Sequence, residues 1–75
     1  PNPFRDEVQL QLANGSGDFL LRVTDSFGRL VKVAQFSGDG SQLIKLPTLT
    51  WSSGLYYFNF YKNGHLIASE VAIKQ

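Results

Sequence analysis

Cysteine and methionine are absent from this 75-residue chain, proline occurs three times, and the one histidine is His65. Without cysteine no disulfide can staple the fold, and a lone histidine without a second ligand at suitable spacing gives no metal site. Stability must then come from packing. So short a chain buries little surface, and its core supplies only about 3–5 kcal/mol. That leaves small margin for an elaborate active site. The missing cysteine fits a reducing or an oxidising compartment equally, so composition alone does not localise the protein.

Charge of one sign is scarce too: seven Lys and Arg against six Asp and Glu give a net +1, with the basic residues scattered. There is no basic stripe for nucleic acid and no polybasic patch for a membrane surface. No apolar run approaches the length of a transmembrane helix, so direct membrane insertion is not expected. The start, Pro1-Asn2-Pro3-Phe4-Arg5, lacks the apolar segment of a signal peptide. We therefore expect residues 1–75 to be one domain cut from a larger protein.

What is present is aromatic and apolar: six Phe, three Tyr and one Trp within 43% hydrophobic residues, a composition that argues for folding rather than disorder. Period-two alternation dominates, and no stretch keeps helical spacing, which makes the class all-β. Val8, Leu10 and Leu12 alternate with Gln9 and Gln11 as a half-buried strand. Asn14-Gly15-Ser16-Gly17-Asp18 turns the chain; its Asn14-Gly15-Ser16 matches a glycosylation sequon but reads as a turn. Phe19, Leu21 and Val23 form the apolar face of a second strand, which Asp25-Ser26-Phe27-Gly28 interrupts as a hairpin turn.

A returning strand is predicted from Arg29 to Phe36, then a turn over Ser37-Gly38-Asp39-Gly40-Ser41, then a short strand from Gln42 to Leu46 stopped by Pro47. Thr48 to Ser53 connects, with a seventh strand conceivable near Thr48 to Trp51. After Gly54, Tyr56, Phe58 and Phe60 share one face and Leu55, Tyr57, Asn59 and Tyr61 the other, the signature of a central strand covered to some degree on both sides. Asn63-Gly64 predicts a type I′ hairpin. The last strand, His65 to Lys74, is expected to bury Ile67, Val71 and Ile73. The architecture is thus a small antiparallel β-sandwich of six to seven strands.

Several residues invite a functional reading. Pro1-Asn2-Pro3 stiffens an extended segment and suits a domain boundary or the entrance from a preceding linker. Asp25 and Gly28 are explained by turn geometry. Arg29 is not required by a turn, which leaves a local pair with Asp25 or a contact with a partner. Gly54 reads as the start of a strand and Tyr56 as a core tyrosine whose hydroxyl meets a partner at the rim. Trp51 serves either as a cap on the sandwich end or as a binding anchor. No Ser, His and Asp set and no carboxylate pair stands out, so no catalytic, metal or cofactor site is expected. The strand ending Glu70 to Gln75 offers an edge for strand addition, or simply completes the sheet.

Four landmarks stand in order: Pro1-Asn2-Pro3, then Asp25-Ser26-Phe27-Gly28-Arg29-Leu30-Val31, then Leu49 through Gly54-Leu55-Tyr56-Tyr57-Phe58, then Asn63-Gly64 with a closing strand ending Lys74-Gln75. Over the whole chain they resemble the type A C-terminal sorting domain of the type IX secretion system of Bacteroidetes. The closing strand holds fewer lysines than is usual there, with Glu70 and Ala72 in place, and the connection from Leu49 to Gly54 is longer and contains Trp51. The resemblance implies an immunoglobulin-like sandwich at the C-terminal end of a cargo protein, directing it through the periplasm and outer membrane to the cell surface or the medium. It implies as partners the outer-membrane translocon, a shuttle protein, and a sortase that commonly removes the domain. The recognition candidates are Pro1, Asn2, Pro3, Asp25, Gly28, Arg29, Gly54, Tyr56, Gly64, Val71, Ile73, Lys74 and Gln75. An alternative from the residues alone is a carbohydrate-binding or adhesive module with Trp51, Tyr57 and Tyr61 as a stacking platform.

Overall fold

In the computed structural model, residues 3–13 and 17–75 are described. Pro1, Asn2 and the Asn14-Gly15-Ser16 sequon lie outside them. Six strands run in chain order: β1 (Glu7–Leu12), β2 (Gly17–Asp25), β3 (Leu30–Gly38), β4 (Gln42–Pro47), β5 (Gly54–Lys62) and β6 (His65–Lys74). They form two antiparallel sheets, a two-stranded β1-β4 and a four-stranded β3-β2-β5-β6. The all-β sandwich is as the alternation requires.

The core lies between the sheets. Val8, Leu10 and Leu12 from β1 and Ile44 and Leu46 from β4 pack on Phe19, Leu21 and Val23 from β2 and Tyr56, Phe58 and Phe60 from β5. Leu21, Val23 and Phe58 have no measurable exposure. β1, β2, β4 and β5 bury alternate side chains because successive Cβ atoms point to opposite sheet faces. Asn63 and Gly64 both take positive φ, 52° and 78°, as the predicted I′ hairpin demands.

Three local expectations change. β3 continues to Gly38, because Ser37 and Gly38 still pair with Asp18 and Gly17. The segment after Pro47 is a turn, closed by the Trp51 amide donating to the Thr48 carbonyl at 2.9 Å, and no seventh strand forms there. In β6 the buried face is inverted. Ile67, Val71 and Ile73 are each about half exposed, whereas Ala72 and Lys74 are buried. Pairing with β5 decides this: Ala72 sits opposite Tyr56 and Ala68 opposite Phe60, so these two small residues share the inward face with the rings, while Glu70, opposite Phe58, stays exposed. Next to rings of that size a small Ala72 fits where a branched aliphatic would overfill the space. Val71 and Ile73 instead join Tyr57 and Leu55 on the outer face.

Candidate functional site

Strand register gathers most of the landmarks, distant in sequence, at one end of the sandwich. Asp25 pairs with Tyr56, Tyr56 with Ala72, and Gly54 with Lys74. A cleft of about 300 Å³ opens there between the β2–β3 turn and the connection into β5, lined among others by Asp25, Phe27, Arg29, Trp51, Gly54 and Tyr56. Gly64 is the exception, at the far end of the β5–β6 hairpin beside a larger concavity of about 680 Å³. In that larger concavity Asp18 accepts the Ser37 hydroxyl.

The β2–β3 turn is organised by one carboxylate. Asp25 Oδ1 accepts the amides of Phe27 at 2.9 Å and Arg29 at 3.0 Å, while Oδ2 accepts Arg29 Nε at 2.8 Å. The Gly28 amide donates to the Asp25 carbonyl, and Gly28 takes φ +81°, a conformation costly for any residue with a Cβ. The Asp25 side chain is only 15% exposed. Desolvation pushes its carboxyl up, but the Arg29 amide, the Phe27 amide and the Arg29 guanidinium outweigh that and hold it below the usual aspartate value. Arg29 thus makes the local pair, and its guanidinium also lies 5.4 Å from the centroid of the exposed Phe27 ring. The side chain stays 75% exposed, so this pair adds little to stability.

Across the cleft, the Tyr56 hydroxyl donates to the Ser52 carbonyl at 2.7 Å, the rim partner expected of a core tyrosine. Trp51 caps the end: its ring packs within 4.9–6.2 Å of Phe4, Tyr56 and Phe58. Tyr57 and Tyr61 lie on the opposite, outward face of the sheet, alternating with Tyr56 and Phe60. Trp51, Tyr57 and Tyr61 therefore form no common stacking platform, and nothing favours the carbohydrate-binding alternative.

The closing strand is tied to the start of the chain. Pro3 is exposed, but Phe4 is buried and forms a parallel bridge with Lys74: the Phe4 amide donates to the Ile73 carbonyl and the Gln75 amide to the Phe4 carbonyl, both at 2.9 Å. Two residues that sequence reasoning did not single out for this role complete the join. Thr48, fully buried, donates its hydroxyl to the Arg5 carbonyl at 2.7 Å and its amide to the Asp6 carbonyl at 2.9 Å. The buried Lys74 ammonium donates to the same Arg5 carbonyl. No short-range signal could have found these, since their partners lie 43 and 69 positions away. The Phe4 pairing also fixes which way β6 points: the backbone groups of Ile73 and Gln75 face away from β5, and by alternation so do those of Val71 and Ser69. Among the described residues, Phe4 alone pairs with that edge.

No three acidic, histidine or cysteine side chains come together to hold a metal ion among the described residues. Fold and landmarks together define a small β-sandwich domain with its distinctive features collected around its two chain ends. The family model for the secretion system C-terminal sorting domain matches residues 1–74, and the chain belongs to that family. It is a sorting signal for type IX secretion, joined to an N-terminal cargo, acting with the secretion machinery and bound for the cell surface or extracellular space. The family is one of sorting signals rather than enzymes. No curated protein and no solved structure matches the chain.

Proposed function

We propose that the machinery recognises this domain in its folded form, at the end where Asp25, Gly28, Arg29, Gly54, Tyr56 and the closing strand meet. The observation that carries this reading is the convergence itself: register brings the β2–β3 turn, the start of β5 and residues 71–75 onto one end. Asp25, Gly28, Gly54 and Tyr56 build the surface, and Arg29 presents a guanidinium that remains largely in solvent. Val71, beyond the Phe4 bridge, supplies the edge to which a partner strand can add. Ile73, Lys74 and Gln75, whose outward backbone Phe4 already occupies, border it with the Ile73 side chain half exposed for selection. Pro1, Asn2 and Pro3 serve as the stiff connection from the cargo, and Gly64 is a hairpin residue with no part in recognition. Residues 1–75 form one domain at the C-terminal end of a larger protein. The shuttle protein and outer-membrane translocon engage it, and a sortase cuts upstream of it. No cofactor is required.

The test is a periplasm-targeted fluorescent reporter carrying this domain at its C-terminus in a Bacteroidetes host, compared with a strain lacking the secretion channel. Reporter should reach the surface or medium only in the parent, and deleting Ser69 to Gln75 should trap it in the periplasm. Reporter retained in the periplasm of both strains sinks the reading. Export unaffected by Arg29→Ala removes Arg29 from the recognition surface and leaves the edge.

A further inference from the structure

We infer that lead-in residues 3–6 and C-terminal residues Lys74 and Gln75 form one latch that opens and closes as a unit, separately from the rest of the sandwich. Five backbone or side-chain bonds hold the lead-in, and they come from two directions. Ile73, Lys74 and Gln75 grip Phe4 and Arg5 from the closing strand, and Thr48 grips Arg5 and Asp6 from the connection after β4. A sixth, longer contact runs from Arg5 Nε to the Gln75 side chain at 3.4 Å. Phe4 plugs the end of the core against Trp51, Tyr56 and Phe58, all with ring centroids near 6 Å in edge-on geometry.

The two chain ends thus share partners, directly and through Thr48. The Arg5 carbonyl accepts both Lys74 and Thr48, so withdrawing the C-terminal residues removes one of its donors and a backbone partner of Phe4 on each side. Groups that share partners open cooperatively, and the free energy by which one end steadies the other is reciprocal. The β2–β5 backbone ladder gives this latch no hydrogen bond, only the Tyr56 and Phe58 rings on which Phe4 rests, so the core can persist while it opens. One consequence rests on the sorting reading: a partner that captures the C-terminal residues would also release the lead-in toward the cargo, coupling recognition to exposure of the connection.

Amide hydrogen exchange on the whole 75-residue domain tests the latch. The amides of Phe4, Thr48 and Gln75 should exchange with one shared opening free energy, below that of Leu21. Lys74→Met, which keeps the buried stem and removes the charged donor, should speed exchange at the Phe4 and Thr48 amides roughly tenfold and leave Leu21 unchanged. Emission from Trp51, the sole tryptophan, should move to the red as Phe4 leaves it. Thr48→Val does not touch Gln75, yet it should speed exchange at the Gln75 amide, and that reciprocity is the decisive readout. A Gln75 amide unmoved by Thr48→Val, or a Leu21 amide that falls in step with the others, overturns the latch. The export assay is blind to this opening and exchange is blind to export, so either reading can fail without the other.

Discussion

The Asp25 carboxylate accepts two amides and a guanidinium, and a proton competes with all three. Its pKa in the fold is lowered, so it is held below the value of the unfolded chain. The stabilisation is therefore complete above the ordinary aspartate pKa of about 3.9 and is lost as the pH falls through that value toward the lower folded one. Asp25→Asn should lower the melting temperature at pH 7 and narrow its gap to the parent as the pH is taken through this acid window, as followed by circular dichroism. A constant gap across it would mean that the carboxylate's charge contributes nothing. Tyr56→Phe removes one hydrogen bond, to the Ser52 carbonyl, and keeps the ring in place, so urea unfolding should register a loss of about 1 kcal/mol. Residues like these were legible in the sequence because their chemistry is local. Asp25 acts on residues two and four positions ahead, and Gly28 answers to a turn of fixed length. Thr48 and Lys74 were not, because a threonine in a connection and a lysine at a strand end look solvated until the chain's beginning is folded against them.

At the scale of the element, β6 shows where pattern alone fails. Its branched residues fall at Ile67, Val71 and Ile73, and hydrophobicity points those inward. Inward direction, however, belongs to the sheet and not to one strand, and β5 had already committed Tyr56, Phe58 and Phe60 to the core. A register shift between Phe60 and Tyr61 breaks the alternation along β6, so no single phase describes the strand. β1 and β2 were legible for the converse reason: their alternation contrasts apolar with polar, and β6 offers apolar residues on both faces. The inverted phase makes a sharp pair of substitutions. Val71→Lys should change stability by no more than about 0.5 kcal/mol, the usual range for an exposed position. Ala72→Lys drives a long cation toward Tyr56 and should cost about 3 kcal/mol or more in denaturant unfolding. Equal costs at the two positions would contradict the register.

For the molecule as a whole, the question is whether the secretion machinery reads a sequence or a surface. The recognition surface proposed above exists only when three distant segments are brought together by the register of β2, β5 and β6. A linear signal confined to the last strand would survive unfolding, whereas an assembled surface would not. Phe58 separates the two cases, because it is fully buried and contributes no atom to the exterior. Replacing a buried phenylalanine by alanine costs about 3–5 kcal/mol, comparable to everything a core of this size provides. Phe58→Ala should therefore abolish the cooperative thermal transition of the domain while leaving Arg29 and residues 69–75 chemically intact. With the folded surface as the signal, a reporter carrying Phe58→Ala stays in the periplasm, and one carrying Val71→Ala, folded but trimmed at the edge, is exported less efficiently than the parent. Normal export of an unfolded Phe58→Ala domain would show that the closing strand suffices as a linear sequence, and the convergence of landmarks at one end would then serve stability rather than recognition.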